Sequence, residues 1–386
     1  MSGYLKQVLI TAIATALCIG WTACGGGGTP PPCHGATCVP SATEFLYVTV
    51  QDAVSGFKLG ASGAPTSMQK QSGPNQSIGI VADRSAKFLY VSDFENAGIQ
   101  AYTINTSTGL LAPVAESPFP AGSAPDTGGI AVDPSTKFLY ATLMNSGKVA
   151  GYTINPTSGA LTAIAGSPFP AGNTPSQAIV DPSGKFLFVN NFNDSTGTIN
   201  AYGIDPTTGA LTPVPGSPFL TQAGFPGPWG LAITGGGKFL CVAMVGTVNA
   251  NNAISVFSID PATGVLGQIV GSPFPAGQGP VALATDAAGK FLFATNLFDD
   301  SVSAFAVDGS SGELTQVAGS PFPTHNVPVS VAVAPDGKYV YVSNSASGDV
   351  SVYSLNSTTG SLSPLAGSPF STGQTELGAL TVVKTK

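Results

Sequence analysis

Charge is scarce in this 386-residue chain: Asp, Glu, Lys and Arg make up 9% of it, and Arg84 is the sole arginine. With a net charge of −7 there is no basic stripe to neutralise phosphates, so nucleic acid is excluded as a partner. Histidine is scarcer still, with only His34 and His325. Cysteine occurs at Cys18, Cys24, Cys33, Cys38 and Cys241, and no second Cys-x-x-Cys accompanies His34, so a structural zinc site lacks its ligands. No Asp-x-Asp-x-Asp-Gly loop, Gly-x-Ser-x-Gly elbow or phosphate-cradling glycine loop occurs. Asp299-Asp300 and Asn193-Asp194 offer oxygen ligands without calcium-loop spacing. No metal and no cofactor is expected.

What the chain has is turns and apolar residues, with 49 Gly, 32 Pro and a 43% hydrophobic share, a composition that suits an all-β repeat protein. The repeat is visible in Lys87-Phe88-Leu89-Tyr90, Lys137-Phe138-Leu139-Tyr140, Lys185-Phe186-Leu187-Phe188 and Lys238-Phe239-Leu240-Cys241. Lys290-Phe291-Leu292-Phe293 and Lys338-Tyr339-Val340-Tyr341 continue it, and Glu44-Phe45-Leu46-Tyr47 opens it. The seven copies are spaced 43, 50, 48, 53, 52 and 48 residues apart, a period that marks a repeat architecture.

One unit, residues 129 to 170, reads as four strands. Gly129 to Val132 is short and apolar, and Asp133-Pro134-Ser135-Thr136 turns into Phe138 to Thr142. Val149 to Ile154 and Ala160 to Ala165 follow, joined by the Asn155-Pro156-Thr157-Ser158-Gly159 turn. The second strand is apolar on both faces, so each sheet must pack between two others, and radial stacking of such sheets is a β-propeller. The first copy lacks a leading apolar strand, while Leu377 to Val383 resembles that missing piece. The expected fold is therefore all-β, a seven-bladed propeller of four-stranded antiparallel blades over 44–386, closed by pairing of the C-terminal strand with the N-terminal blade.

Ser-Pro-Phe recurs at Ser117, Ser167, Ser217, Ser272, Ser320 and Ser368. Identity in blade after blade points to packing, with Pro ending the outer strand and Phe filling the gap between blades. The repeated lysines read as solvated strand starts, and Cys241, in a place otherwise held by Tyr or Phe, as a buried inert thiol.

Ahead of the repeats, Lys6 precedes an apolar run of 16 residues from Val8 to Ala23, long enough for a signal peptide and short for a membrane span. Trp21-Thr22-Ala23-Cys24 resembles a bacterial lipobox, with Trp21 where that pattern prefers Leu. Residues 1–23 are thus expected to be a lipoprotein signal peptide, and Cys24 the lipidated first mature residue. An ordinary signal peptide with Cys24 an incidental thiol is the other reading, and small residues before Cys24 and a Gly/Pro-rich tether (24–43) after it favour the first. Cys33 and Cys38 are free to pair in an exported protein. The expected address is the cell envelope, lipid-anchored in the outer membrane or at the cell surface, because Gly25 stands where an aspartate commonly signals inner-membrane retention.

The repeats resemble the seven-bladed β-propeller lactonase family, which has 6-phosphogluconolactonase-type and muconate-cyclising members, and the Tyr-Val-Thr-Asn repeats of surface-layer proteins. The resemblance is carried by Phe88-Leu89-Tyr90-Val91-Ser92-Asp93 with Ala101-Tyr102, by Tyr341-Val342-Ser343-Asn344 with Val350 to Tyr353, and by Asp205-Pro206-Thr207-Thr208-Gly209-Ala210-Leu211-Thr212. It implies working residues in a central funnel, with His, Arg and acidic side chains around a lactone. The places where the family sets its histidine, after Pro74, Pro125, Pro175, Pro228, Pro280 and Pro328, carry none here. Asn296-Leu297-Phe298-Asp299-Asp300-Ser301 echoes a family loop without its arginine, and Arg84 falls in a turn on the opposite face.

The loops expected at the funnel mouth supply Asn75, Asp93, Asp126, Gln177, Asn191, Trp229, Asn296, His325, Asn344 and Glu376. Amides with Trp229 as a stacking surface suit a neutral polar ligand such as a glycan, and Trp229 is equally readable as a packing residue. His325 is either a solvated loop side chain or a general base, and as a base it needs an orienting carboxylate, with Glu376 or Asp126 the candidates. The leading expectation is a binding or scaffold propeller in the envelope, engaging protein or glycan through its top face and the membrane through its anchor. The alternative is a lactonase-type hydrolase with a non-standard active site.

Overall fold

In the computed structural model, residues 43–385 are described, apart from 124, 193–196, 222–226 and 247–251. The proposed signal segment, Cys24, Cys33 and Cys38, and Asn193-Asp194 lie outside the described residues. Those residues contain no helix and form seven antiparallel sheets. In blade 3 the strands are Thr127–Val132, Phe138–Leu143, Lys148–Ile154 and Leu161–Ala163, running from the centre outward. The same order recurs in every blade. Blade 1 is assembled from both chain ends: Glu44–Val50 pairs on one side with Ala53–Leu59 and on the other with Leu380–Lys384, in a register that sets Phe45 opposite Val383.

Burial follows the double-sided apolar pattern. Leu139, Tyr140 and Ala141 have no exposed surface, and their counterparts in other blades behave alike. The core is accordingly divided into slices between blades. One slice joins Tyr90, Ile99 and Phe119 to Leu139 and Leu143, and the next joins Phe138, Tyr140 and Phe169 to Leu187 and Val189. The last joins Tyr341 and Val352 to Leu46 and Val48, so the ring is closed by the same packing that builds it.

Polar repeats tie the slices together. Tyr140 donates its hydroxyl to the Gly209 carbonyl of the next blade at 2.7 Å, as Tyr90 does to Gly159 and Tyr341 to Gly63. Those glycines have φ between 73° and 79° and lie against the aromatic ring that opens the second strand of the preceding blade. A Cβ at Gly159 would sit 2.4 Å from the Phe88 ring, so both the turn and the approach demand glycine. Asp133 is buried because its carboxylate accepts the Lys137 and Phe138 amides and those of Ser135, which builds the turn that launches the second strand.

The outer edge differs from a single fourth strand. It breaks at a cis Ser–Pro bond and resumes as a two-residue segment, Phe169–Pro170 in blade 3, which pairs again with the third strand. The break leaves a third-strand amide unpaired, and the serine hydroxyl accepts it: Gly151 N donates to Ser167 Oγ at 2.9 Å. The same bond is made by Ser117, Ser217, Ser272, Ser320 and Ser368. Proline thus breaks the strand and serine repairs the ladder, while Phe119, Phe169 and Phe322 are buried in the inter-blade core.

Candidate functional site

Second strands run from the lysine-bearing face to the opposite face, called the top here, where second-to-third hairpins and the loops leading into innermost strands meet. Near their top ends the innermost strands bulge, with register shifts after Thr127, Pro175, Pro228, Pro280 and Pro328. Side chains one residue before the second-strand end hold the bulges. Thr142 Oγ1 donates to the Gly129 and Ser176 carbonyls, and Asn190 Nδ2 donates to the Trp229 carbonyl at 2.6 Å. These bonds lock neighbouring innermost strands together around the mouth. Sequence reasoning missed them, although Ser, Thr or Asn at 92, 142, 190, 295 and 343 was the available signal.

Four of the sequence-chosen residues, Asp93, Asn191, Asn296 and Asn344, end second strands and are wholly buried. Asn191 Nδ2 donates to Thr198 Oγ1 and Asn200 Oδ1 while its Oδ1 accepts the Gly172 amide. Asn296 donates to Ser301 and Ser303, and Asp93 accepts from the Asn75 amide, Asn96 and Gln100. They clamp hairpins inside their own blades and are not presented at the mouth. Asp126 is buried in the same way, its carboxylate accepting the amides of Asn145 and Ser146. Asn75 is exposed, and Gln177, Trp229 and Glu376 are half-buried. Trp229 meets Phe192 edge-on, with centroids 5.0 Å apart and planes at 88°.

His325 is brought to a carboxylate, and the partner is Asp349 in place of either candidate named from sequence. His325 Nδ1 lies 2.7 Å from Asp349 Oδ2. The ring is 51% exposed and the carboxylate 11%, so one edge of the imidazole is held and the other faces solvent. Asp349 is itself fixed, accepting Asn344 Nδ2 at 2.7 Å and Ser347 Oγ at 3.3 Å. Asn344 also donates to Ser351, while its buried Oδ1 has no partner. The histidine loop is pinned from blade 6, where Asp300 accepts the Thr324 amide through its carbonyl and the Val327 amide through its carboxylate. Asp349 was hidden in the sequence because it opens a third strand whose equivalents are Gly98, Lys148, Thr198, Ala253 and Ser301. That lone acid in the alignment of blades was the only clue.

The residue after each second strand forms an arc that was also missed. Phe94, Met144, Phe192, Val245 and Leu297 occupy it in blades 2 to 6, and Ser345 and Gln51 interrupt it at blades 7 and 1. Equivalence is set by the backbone, because Met144, Phe192, Val245, Leu297 and Ser345 each donate an amide to the loop leading into their own innermost strand. The polar interruption is where His325 and Asp349 stand.

Charge is divided between the faces. Arg84 and the six repeated lysines are exposed on the bottom. The described top face carries Lys148 and Lys70, the latter bound to Asp52 at 3.0 Å, against Glu95, Asp299, Asp300 and Glu376. No group of three or more His, Cys, Asp or Glu that could hold a metal occurs among the described residues. No helix among them is long and apolar enough to cross a membrane.

The profile of the seven-bladed β-propeller lactonases matches residues 113–225 and 270–375, more than half of the chain. No curated protein matches by sequence. A solved candidate 6-phosphogluconolactonase of Bacteroides uniformis shares 20% identity, with a TM-score of 0.75 over 89% of this chain and 99% of that one. The periplasmic gluconolactonase of Pseudomonas aeruginosa shares 18% identity, with a TM-score of 0.74 over 89% of this chain and 99% of that one. Hydrazine synthase of Kuenenia stuttgartiensis, at 17% identity and a TM-score of 0.62 over 85% of this chain and 99% of that one, has the same fold. At such identities the likeness speaks for fold alone.

Proposed function

Since this chain belongs to the seven-bladed β-propeller lactonase family, we propose that it is a lactone hydrolase working at the top face, with His325 as general base and Asp349 as its positioning residue. The observation that carries this reading is the 2.7 Å His325–Asp349 contact, a histidine whose second nitrogen faces solvent while the first is held by a fixed carboxylate. Donation of Nδ1–H to Asp349 leaves the Nε2 lone pair free to take a proton from water as the water oxygen bonds to the lactone carbonyl carbon. Asp349 then faces a charged imidazolium, which it stabilises. When the ring C–O bond breaks, the imidazolium returns the proton to the departing alkoxide, and lactone plus water becomes a hydroxy acid. The scarcity of cations on the top face argues for an uncharged lactone over a phosphorylated one, since a phosphate would meet Glu95, Asp299, Asp300 and Glu376 with little to offset them.

The test is turnover of uncharged lactones by the full chain and by His325→Ala. Loss of general-base catalysis lowers kcat by about 10²–10⁴-fold, and undiminished turnover in the variant would remove His325 from the reaction. One observation favours a second reading, a binding module for an envelope protein or glycan: no arginine stands on the described top face to meet an oxyanion. Absence of turnover across the panel, with saturable binding of envelope glycan, would replace the hydrolase by that module.

The address belongs to the same proposal: residues 1–23 are removed as a signal peptide and a lipidated Cys24 anchors the protein in the envelope. Thr43, the first described residue after that segment, lies beside Thr385 on the bottom face, opposite the mouth. Metabolic labelling with radioactive palmitate checks the anchor, with incorporation expected in the wild-type chain and lost in Cys24→Ala.

A further inference from the structure

The geometry points to a lactone carrying an alkyl or aryl substituent as the substrate class, the substituent lying on the apolar arc of the mouth while the ring carbonyl reaches His325. The inference rests on the hydrolase reading, and its own observations are separate from the histidine. Trp229, Phe298, Val327 and Val329 are only partly buried where they pack around Val245, Val281 and Leu297, at the top of blades 5 to 7. Phe192 braces Trp229 from blade 4. Val327 is two residues from His325, and Asp300, which pins that loop, is two residues from Phe298. The base and the apolar surface are therefore parts of one locked unit.

The burial of most mouth amides weighs against a sugar lactone. Recognition of several hydroxyls needs free amides and carboxylates at the mouth, because a site made to hydrogen-bond hydroxyls discriminates through them. Asn191, Asp93 and Asp126 are buried on partners in their own blades, and Asn296 and Asn344 are buried with their amide nitrogens bonded and their Oδ1 atoms shut away from the mouth. Asn75, Gln177 and Glu376 are polar and accessible, but the partly exposed patch of Trp229, Phe298, Val327 and Val329 is aromatic and aliphatic, and each methylene that leaves water there is worth up to about fourfold in affinity.

Three substrates separate the possibilities: δ-decalactone, δ-valerolactone and glucono-δ-lactone, assayed with the full chain. Covering about half of the pentyl tail gives δ-decalactone an advantage of about 30-fold in kcat/KM over δ-valerolactone, with glucono-δ-lactone the poorest. Trp229→Ala and, independently, Phe298→Ala should each cut the decalactone-to-valerolactone ratio by about tenfold. Glucono-δ-lactone matching or exceeding δ-decalactone, or variants that leave the ratio unchanged, would overturn the inference. If no lactone is turned over, the hydrolase reading fails while the apolar site is still tested by emission. The chain has two tryptophans, Trp21 and Trp229, so Trp21→Phe leaves Trp229 as sole reporter. A saturable change with δ-decalactone and none with glucono-δ-lactone supports the apolar site; no change, or the same change with both, sinks it.

Discussion

At the scale of single residues, repetition separates scaffold from chemistry. Gly159 and its equivalents are forced by a positive φ and by an aromatic face in the neighbouring blade. Gly159→Ala meets both obstacles and should destabilise the protein by about 2–4 kcal/mol, read as a lower urea midpoint with unchanged slope. Cys241 sits in the same slices, and burial pushes its thiol up to about 12, which keeps it protonated and unreactive. His325 and Asp349 belong to no repeat. Asp349→Asn keeps the shape of the pair and removes the charge that stabilises an imidazolium, so kcat should fall by about 10²-fold or more with KM nearly unchanged. A loss confined to KM would make the pair a binding contact.

The strand and its turns are the next scale. Ser167→Ala strips the acceptor from the Gly151 amide, and a loss of about 1–2 kcal/mol is expected in chemical unfolding, with Ser217→Ala behaving alike. The third-to-fourth-strand turns supply a pH experiment. Asp205 and Asp308 are held below the usual carboxylate range chiefly by backbone amides, from Thr208 and Ser311 first, and Asp260 first by the Thr263 hydroxyl. A folded value below the unfolded one gives stability that is complete above about pH 5 and lost as pH falls through the lowered values. Asn105, Asn155 and Asn356 make the same turn bonds with a neutral side chain. The triple variant Asp205→Asn/Asp260→Asn/Asp308→Asn should therefore fold and melt at neutral pH near wild type, with a shallower fall in Tm between about pH 5 and pH 2.

Over the whole molecule, stability depends on closure. Leu380–Lys384 fills the innermost place of blade 1, and Leu380 and Val383 are buried in the slices on either side of it. Removing residues 376–386 bares the edge of Glu44–Val50 and opens both slices, so the transition should shift down as one event across all blades. An unchanged Tm, or unfolding of blade 1 alone, would contradict a ring held by its seam.

The sequence by itself determined the propeller, its seven blades and its closure, because these follow from local periodicity and repeated identical contacts. The double-sided strand Phe138 to Tyr140, the Asp133 turn and the matching ends at Phe45 and Val383 recur or complement each other within the chain. The family resemblance rested on further copies of that strand, at Phe88 to Asp93 and Tyr341 to Asn344, and on the turn and strand at Asp205 to Thr212. The site was legible only in part. His325 stood out by rarity, but its partner Asp349 lies 24 residues further on, inside a strand, and only the loop pinned by Asp300 swings the histidine over it. The tertiary structure also decided which mouth residues face outward. Asn191, Asn296 and Asn344 look like ligand-binding amides in the sequence, yet each ends a strand where the hairpin and the lead-in loop close over it, and unpaired hairpin groups draw the amide inward. Those amides were turned into their own blades, chiefly onto neighbouring side chains, and Phe94, Met144 and Phe192, one step further on, were left partly exposed at the mouth.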